Sequence, residues 1–110
     1  MVSEHNDTDR ESYYQEAADV WDRGCRGDSL DDRESVRFHH LARSRFYTFV
    51  LSASHAQMNS DAAKIQLLIR SFALDLVRAP GLERAWLESE FADEDFGALV
   101  TAMLNEVREQ

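Results

Sequence analysis

Residues that break helices are rare in this chain. One proline and four glycines interrupt its 110 residues, and no stretch alternates apolar and polar residues for long enough to indicate a strand. Apolar residues recur instead at the i, i+3, i+4, i+7 spacing of an amphipathic helix. The sequence therefore predicts an all-α fold, a compact antiparallel bundle of four main helices plus one short helix.

Start and stop signals place the first two helices. A capping-box spacing at Thr8 begins the first helix, which ends at the glycines of residues 24–27. A cap at Asp28 or Ser29 begins the second helix, which is the longest and which we expect to end near Gln57. The predicted inner stripe of the first helix consists of Tyr14, Ala17, Ala18, Trp21 and Cys25.

The remaining helices follow from caps and from the single proline. Asn59 or Ser60, followed by Asp61, begins the third helix, which stops by about Ala79 because Pro80 disfavours helical geometry in the residue before it. Pro80 forms a turn or opens the short fourth helix, and Asp93 is the expected cap of the last one. We predict a flexible terminus over 1–7 and a single bundle domain over 8–110.

Composition excludes several classes of partner. The chain has 12 basic and 21 acidic residues and a formal net charge of -9, which is the wrong sign for direct binding of nucleic acid. No window approaches the roughly 20 consecutive apolar residues of a membrane span, so we expect no membrane insertion. The start of the chain has no basic residue followed by an apolar run, and the expected location is cytoplasmic.

The charge is unevenly distributed. Residues 1–32 have a net charge of -7 and residues 83–110 a net charge of -6, whereas residues 33–45 carry +3 and residues 46–82 carry +1. Acidic ends of this kind are typical of a solvated surface. They also permit an alternative function, an acidic inhibitor or decoy that imitates nucleic acid toward a basic protein. In that case Asp93, Glu94 and Asp95 are the expected contacts.

No constellation of residues indicates catalysis. His39 and His40 point about 100° apart on a helix and cannot share a metal ion. The chain has no phosphate-binding glycine loop, nucleophile elbow or zinc-protease motif. Cys25 is the only cysteine, which excludes an internal disulfide and a multi-cysteine metal site. We therefore predict no enzymatic activity, no metal and no cofactor.

Apolar residues outside the predicted core are the strongest functional signal. Val36, Tyr47 and Leu51 widen the apolar face of the second helix, and Leu67 and Leu74 lie opposite the inner stripe of the third. Either another helix of the bundle covers them, or they form a surface for self-association or for a protein partner.

These residues define the predicted site. The candidate interface consists of Tyr47, Val50, Leu67 and Leu74, and the candidate polar contact stripe of Arg33, Arg37 and His55. The predicted function is a non-enzymatic interaction or self-association module, with a protein or a second copy as partner and a dimer as the expected state. A further alternative is a small molecule bound between helices near Phe46, Phe72 and Trp86.

The order of several landmarks resembles a known group of proteins. These landmarks are Trp21 with Gly24, the acidic entry 30–32, the pair 37–38, the segment 80–86 (PGLERAW) and the segment 91–96. In this order the chain is similar to a group of small bacterial all-helical proteins with a Pro-Gly-x4-Trp segment. The resemblance implies a helical fold and no particular activity.

Overall fold

The computed structural model describes residues 2–94 and 96–109, with side chains from Ser12 onward. All regular structure in these ranges is helical, which confirms the predicted all-α bundle. The α-helices are α1 (Val2–Arg26), α2 (Asp32–Met58), α3 (Ala62–Arg78), α4 (Pro80–Glu88) and α5 (Gly97–Glu109). A 3-10 helix, Glu90–Asp93, lies between α4 and α5.

A reciprocal pair of hydrogen bonds begins α2. The Asp31 side chain accepts from the backbone N–H of Glu34 at 2.8 Å, and the Glu34 carboxylate accepts from the backbone N–H of Asp31 at 3.1 Å. This capping box satisfies two N–H groups that have no partner within the helix. The predicted cap at Asp28 or Ser29 was therefore wrong, because Asp31 has a glutamate three residues later. Asp28 instead pairs with Arg26 at 3.1 Å.

The other helix ends follow the predicted signals in part. Asp61 caps α3 by accepting from the backbone N–H of Lys64 at 3.0 Å, and Pro80 opens α4. The expected cap at Asp93 was wrong, because this residue ends the 3-10 helix and α5 begins at Gly97. The first helix begins before the expected Thr8, at Val2, and the division into 1–7 and 8–110 stays a prediction.

Aromatic rings from α2, α3 and α4 fill the core. Phe49 and Phe72 stack at 4.2 Å between ring centroids, and Trp86 meets the edges of Phe46 and Phe72 at 5.1 and 4.9 Å. Such offset and edge-to-face pairs stabilise a core beyond the area that they bury. The region proposed for a small ligand near these residues is therefore occupied by rings in mutual contact.

The buried faces of α2 to α5 largely follow the apolar periodicity of the sequence. On α2 the buried residues are Phe38, Ala42, Phe46, Phe49, Ala53 and Ala56. Ile69, Phe72 and Leu76 are buried on α3, and Val100 and Leu104 on α5. The apolar spacing of α5 also predicts that Leu99 points inward, but this side chain is 48% exposed.

The face of α1 that meets the bundle is rotated from the predicted inner stripe, of which Trp21 and Cys25 still pack against the core. Tyr14 is 62% exposed, whereas Val20 and Gly24 are buried. A methyl group on Gly24 would overlap the ring of Phe38, and one on Gly81 would overlap the carbonyl oxygen of Gly24. The helix therefore rotates until its glycine faces α2 and α4, because the absent side chain permits this close approach.

Candidate interaction surface

Four large apolar side chains are exposed on one side of α2. The exposed fractions are 61% for Val36, 56% for Tyr47, 52% for Leu51 and 84% for Met58. Val36, Tyr47 and Met58 are each eleven residues, or about three helical turns, apart. These residues lie on the side of the helix away from the buried face. Together with the intervening His40 and Ser54 they are called the α2 stripe.

The α2 stripe contains no acidic residue. No aspartate or glutamate occurs from Ser35 to Ser60, in a chain of net charge -9. The three arginines of this segment pair with acids of neighbouring elements: Arg37 with Glu16 at 3.1 Å, Arg43 with Glu90, and Arg45 with Asp75 at 2.9 Å. These three arginines are therefore engaged at the flanks of α2, and none of the residues of the α2 stripe is acidic.

The four residues of the predicted interface do not form one surface. Tyr47 lies in the α2 stripe, but Val50 is half-buried and packs against the core. Leu67 is 70% exposed on α3, and Leu74 on the same helix is half-buried. The α3 helix is held to α2 through Arg45, which projects about 160° around α2 from Tyr47. Tyr47 and Leu67 therefore belong to different faces of the molecule.

The three residues of the predicted polar stripe have different surroundings, because Arg37 contacts α1 whereas Arg33 and His55 are exposed. The guanidinium of Arg37 lies 4.4 Å from the ring centre of Tyr13 and donates to the Tyr13 carbonyl oxygen at 3.4 Å. This side chain therefore holds α1 against α2. Arg33 is exposed at the start of α2, and the exposed ring of His55 lies 3.2 Å from the side-chain nitrogen of Asn59. A role of Arg33 or His55 in binding a partner stays a prediction.

An open groove separates α1 from α2. Its volume is about 440 Å³. The lining is mostly apolar and consists of Ala17, Ala18, Trp21, Leu41, Ser44, Arg45 and Thr48. Ala17, Ala18 and Trp21 belong to the predicted inner stripe of α1, so part of that stripe lines the groove.

A more polar cleft lies between α2 and the end of α4. Its volume is about 410 Å³, and His39, Arg43, Glu88 and Glu90 are among its lining residues. The Nδ1 atom of His39 lies 2.7 Å from the Ser35 carbonyl oxygen, and Arg43 pairs with Glu90. Among the side chains that the structure describes, those of residues 12–94 and 96–109, no group of three or more histidine, cysteine, aspartate or glutamate residues is arranged to hold a metal ion.

Two further features concern the reactivity of Cys25 and the capacity of the helices to cross a membrane. Burial raises the pKa of the half-buried Cys25 thiol, and the charge of Asp22 raises it further. The neutral thiol is a poor nucleophile. Among the helices that the structure describes, none combines the length and the apolar character that crossing a membrane requires.

Sequence reasoning found part of the α2 stripe and missed the rest. Val36, Tyr47 and Leu51 were recognised as apolar residues outside the core. Met58 was missed because α2 was expected to end near Gln57, one residue too early. The repeated spacing of eleven residues from Val36 through Tyr47 to Met58, in a segment without acids, is the sequence signal that adds Met58 to the stripe.

Comparisons with known proteins do not identify a family for this chain. No protein-family model, curated protein or solved structure matches the chain. The resemblance to small bacterial helical proteins therefore stays a prediction. Two of the landmarks that carry it, Gly24 and Gly81, meet where α1 crosses α4, so they have a structural role whatever the family.

Proposed function

We propose that this protein is a non-enzymatic self-association module and that the α2 stripe is its contact surface. One observation carries the proposal: the longest helix exposes Val36, Tyr47, Leu51 and Met58 along one side that lacks acidic residues. The proposal keeps Tyr47 from the predicted interface and replaces the other three predicted residues with neighbours on the same helix.

The physical argument rests on the clustering of these side chains. Single apolar residues on a protein surface are common and need no explanation, but a contiguous apolar patch marks an interaction site. Interface centres are enriched in tyrosine and methionine and depleted in aspartate, glutamate and lysine. The α2 stripe has this composition, although the chain as a whole is strongly acidic.

Sedimentation velocity tests the proposal. We expect the wild-type protein to be a dimer and the Tyr47→Glu/Leu51→Glu variant to be a monomer with an unchanged circular dichroism spectrum. The control is Leu67→Glu/Leu87→Glu, which places the same charges at exposed apolar positions of α3 and α4; it should stay dimeric. A monomeric wild type at high concentration would overturn the proposal. Loss of the dimer in the control alone would move the interface to α3 or α4.

The acidic inhibitor is the second candidate function. Glu88, Asp93 and Glu94 are exposed around the 3-10 helix; Asp95, the third residue predicted for this role, lies outside the described residues. These side chains favour contact with a basic protein. Such binding depends on opposite charges, so its affinity falls steeply as salt rises. Self-association of an acidic chain through an apolar stripe has the opposite salt dependence.

A further inference from the structure

We infer that the cleft between α2 and the end of α4 binds a small protonated amine that carries a hydrocarbon chain. The inference goes beyond the proposed function, because it concerns a second site, away from the α2 stripe, with a different kind of ligand. Three observations carry it: the volume of the cleft and its apolar floor, the hydrogen bonds that its polar side chains already make, and the balance of its charges.

The cleft has the size and the floor of a small-molecule site. Its volume of about 410 Å³ lies within the range of roughly 300–1,000 Å³ that is typical of ligand pockets. Ala42, Phe46 and Ala85 belong to its lining, and all three are buried. A hydrocarbon chain that covers this floor is itself removed from water, which favours binding.

Two polar side chains of the cleft already donate their proton to a backbone carbonyl group. The Nδ1 atom of His39 lies 2.7 Å from the Ser35 carbonyl oxygen, and because a carbonyl oxygen can only accept, the proton of the neutral ring is on Nδ1. The Ser89 hydroxyl donates to the Trp86 carbonyl oxygen at 2.6 Å. The His39 Nε2 atom and the lone pairs of the Ser89 oxygen are left for a ligand, and both accept hydrogen bonds.

The charges of the cleft favour a cation. The arginine of the lining, Arg43, pairs with Glu90, and its guanidinium lies 5.5 Å from the ring centre of Phe91. Glu88 is exposed, and no described side chain forms a hydrogen bond or an ion pair with it. Glu88 and Ser89 also stand at the C-terminus of α4, where the helix dipole favours positive charge. The described lining therefore has an unpaired negative charge.

A protonated primary amine matches this arrangement. The Glu88 carboxylate, the His39 Nε2 atom and the Ser89 oxygen can each accept one of its N–H groups, and its charge balances that of Glu88. A carboxylate or phosphate ligand would instead bring acceptors to acceptors, and it would add negative charge to a chain of net charge -9. The structure thus favours an alkylammonium ion, for which n-hexylamine is a suitable probe.

Titration of nitrogen-15-labelled protein with n-hexylamine, followed by NMR, tests the inference. At pH 7.5 an alkylamine keeps its proton. We expect the backbone amide signals of Arg43, Ser89 and Glu90 to shift and to reach saturation. Hexanoate has the opposite charge on a chain of similar length and should leave these signals in place. No saturable shift with n-hexylamine, or an equal shift with hexanoate, would overturn the inference.

A pair of charge-matched variants tests whether Glu88 holds the ammonium group. Glu88→Gln should raise the dissociation constant of n-hexylamine several-fold, because it removes the unpaired charge of the cleft. Glu106→Gln removes the same charge from an exposed position of α5 and should bind as the wild type does. Equal weakening in both variants would show general attraction to an acidic surface and would overturn the site.

A lysine side chain of another protein has the same ammonium chemistry as a free amine. Nα-acetyl-lysine methylamide, which attaches a peptide backbone to such a chain, should bind several-fold more weakly than n-hexylamine. Equal binding of the two probes would assign the cleft to a lysine of a protein partner and overturn its assignment to a small amine. These measurements are independent of the number of copies in solution, so this inference and the proposed self-association can fail separately.

Discussion

Glu34 connects two helices through a single carboxylate. It accepts the backbone N–H of Asp31 at the start of α2, and it pairs with Arg23 of α1, which also donates to Asp19 at 2.9 Å. The hydrogen bond from Arg23 and then the one from Asp31 lower the pKa of Glu34 below its ordinary value, and the two acids raise the pKa of Arg23. The corner between α1 and α2 is therefore held by a charge-assisted contact.

This contact predicts loss of stability in acid. Because the pKa of Glu34 is lower in the folded protein than in the unfolded chain, its contribution is complete above the ordinary glutamate value of about 4.3 and is lost as pH falls through the folded-state pKa. Urea unfolding between pH 6 and 3 should show a smaller decline in unfolding free energy for Glu34→Gln than for wild type. The control is Glu106→Gln, at an exposed position of α5; coinciding profiles of the two variants would contradict the prediction.

At the scale of whole elements, two glycines decide how α1 joins the bundle. Gly24 lies against Phe38 of α2, and the carbonyl oxygen of Gly24 lies where a side chain on Gly81 of α4 would begin. Gly27, with φ of +85°, then ends α1, and the N–H of Asp28 donates to the Arg23 carbonyl oxygen at 3.0 Å. The close crossing orients α1 and leaves Tyr14 and Ala18 on its exposed side.

The Gly81→Ala substitution tests how closely α1 and α4 pack, because helix propensity and steric overlap change the stability of the protein in opposite directions. Helix propensity alone would make Gly81→Ala stabilising by about 1 kcal/mol. Overlap with the backbone of Gly24 should instead make it destabilising by about 1–3 kcal/mol, the usual cost of overpacking. Urea unfolding measures the difference, with Ala102→Ser at an exposed position of α5 as the control. A gain in stability would show that α1 can move away from α4 without cost.

At the scale of the whole molecule, the net charge opposes association. Each copy carries a formal charge of -9, so two copies repel at long range, and only the apolar contact of the α2 stripe favours their pairing. The repulsion is screened once the Debye length falls from about 30 Å at 0.01 M salt to about 10 Å at 0.1 M.

Added salt should therefore strengthen the dimer. We expect the dissociation constant from sedimentation equilibrium to fall several-fold between 0.01 and 0.5 M NaCl, since screening removes the repulsion and leaves the apolar contact intact. The Tyr47→Glu/Leu51→Glu variant should stay monomeric throughout, which controls for non-specific association in salt. A dimer that dissociates as salt rises would show that opposite charges, rather than the α2 stripe, hold the two copies together.

Local pattern accounts for most of the helices and for part of the candidate surface. Apolar periodicity identified the inner faces of α2 and α3, and Asp61 and Pro80 marked helix ends, because neighbours within one or two turns satisfy these signals. The same pattern identified Tyr47 as an apolar residue without a place in the core. It placed Val50 in the same surface, although that side chain packs against the core.

The sequence by itself determined that the chain is helical, which faces of α2 to α5 are buried, and that α2 has more apolar surface than one core needs. Only the tertiary structure decided which face of α1 meets the bundle. Gly24 has no apolar side chain and so does not contribute to a periodic apolar pattern, and its structural role depends on the residues of α2 and α4 that pack against it. The tertiary structure likewise decided that α1, α3 and α4 leave Tyr47 uncovered and direct Leu67 to another face, since the path of each helix depends on contacts between residues far apart in the chain.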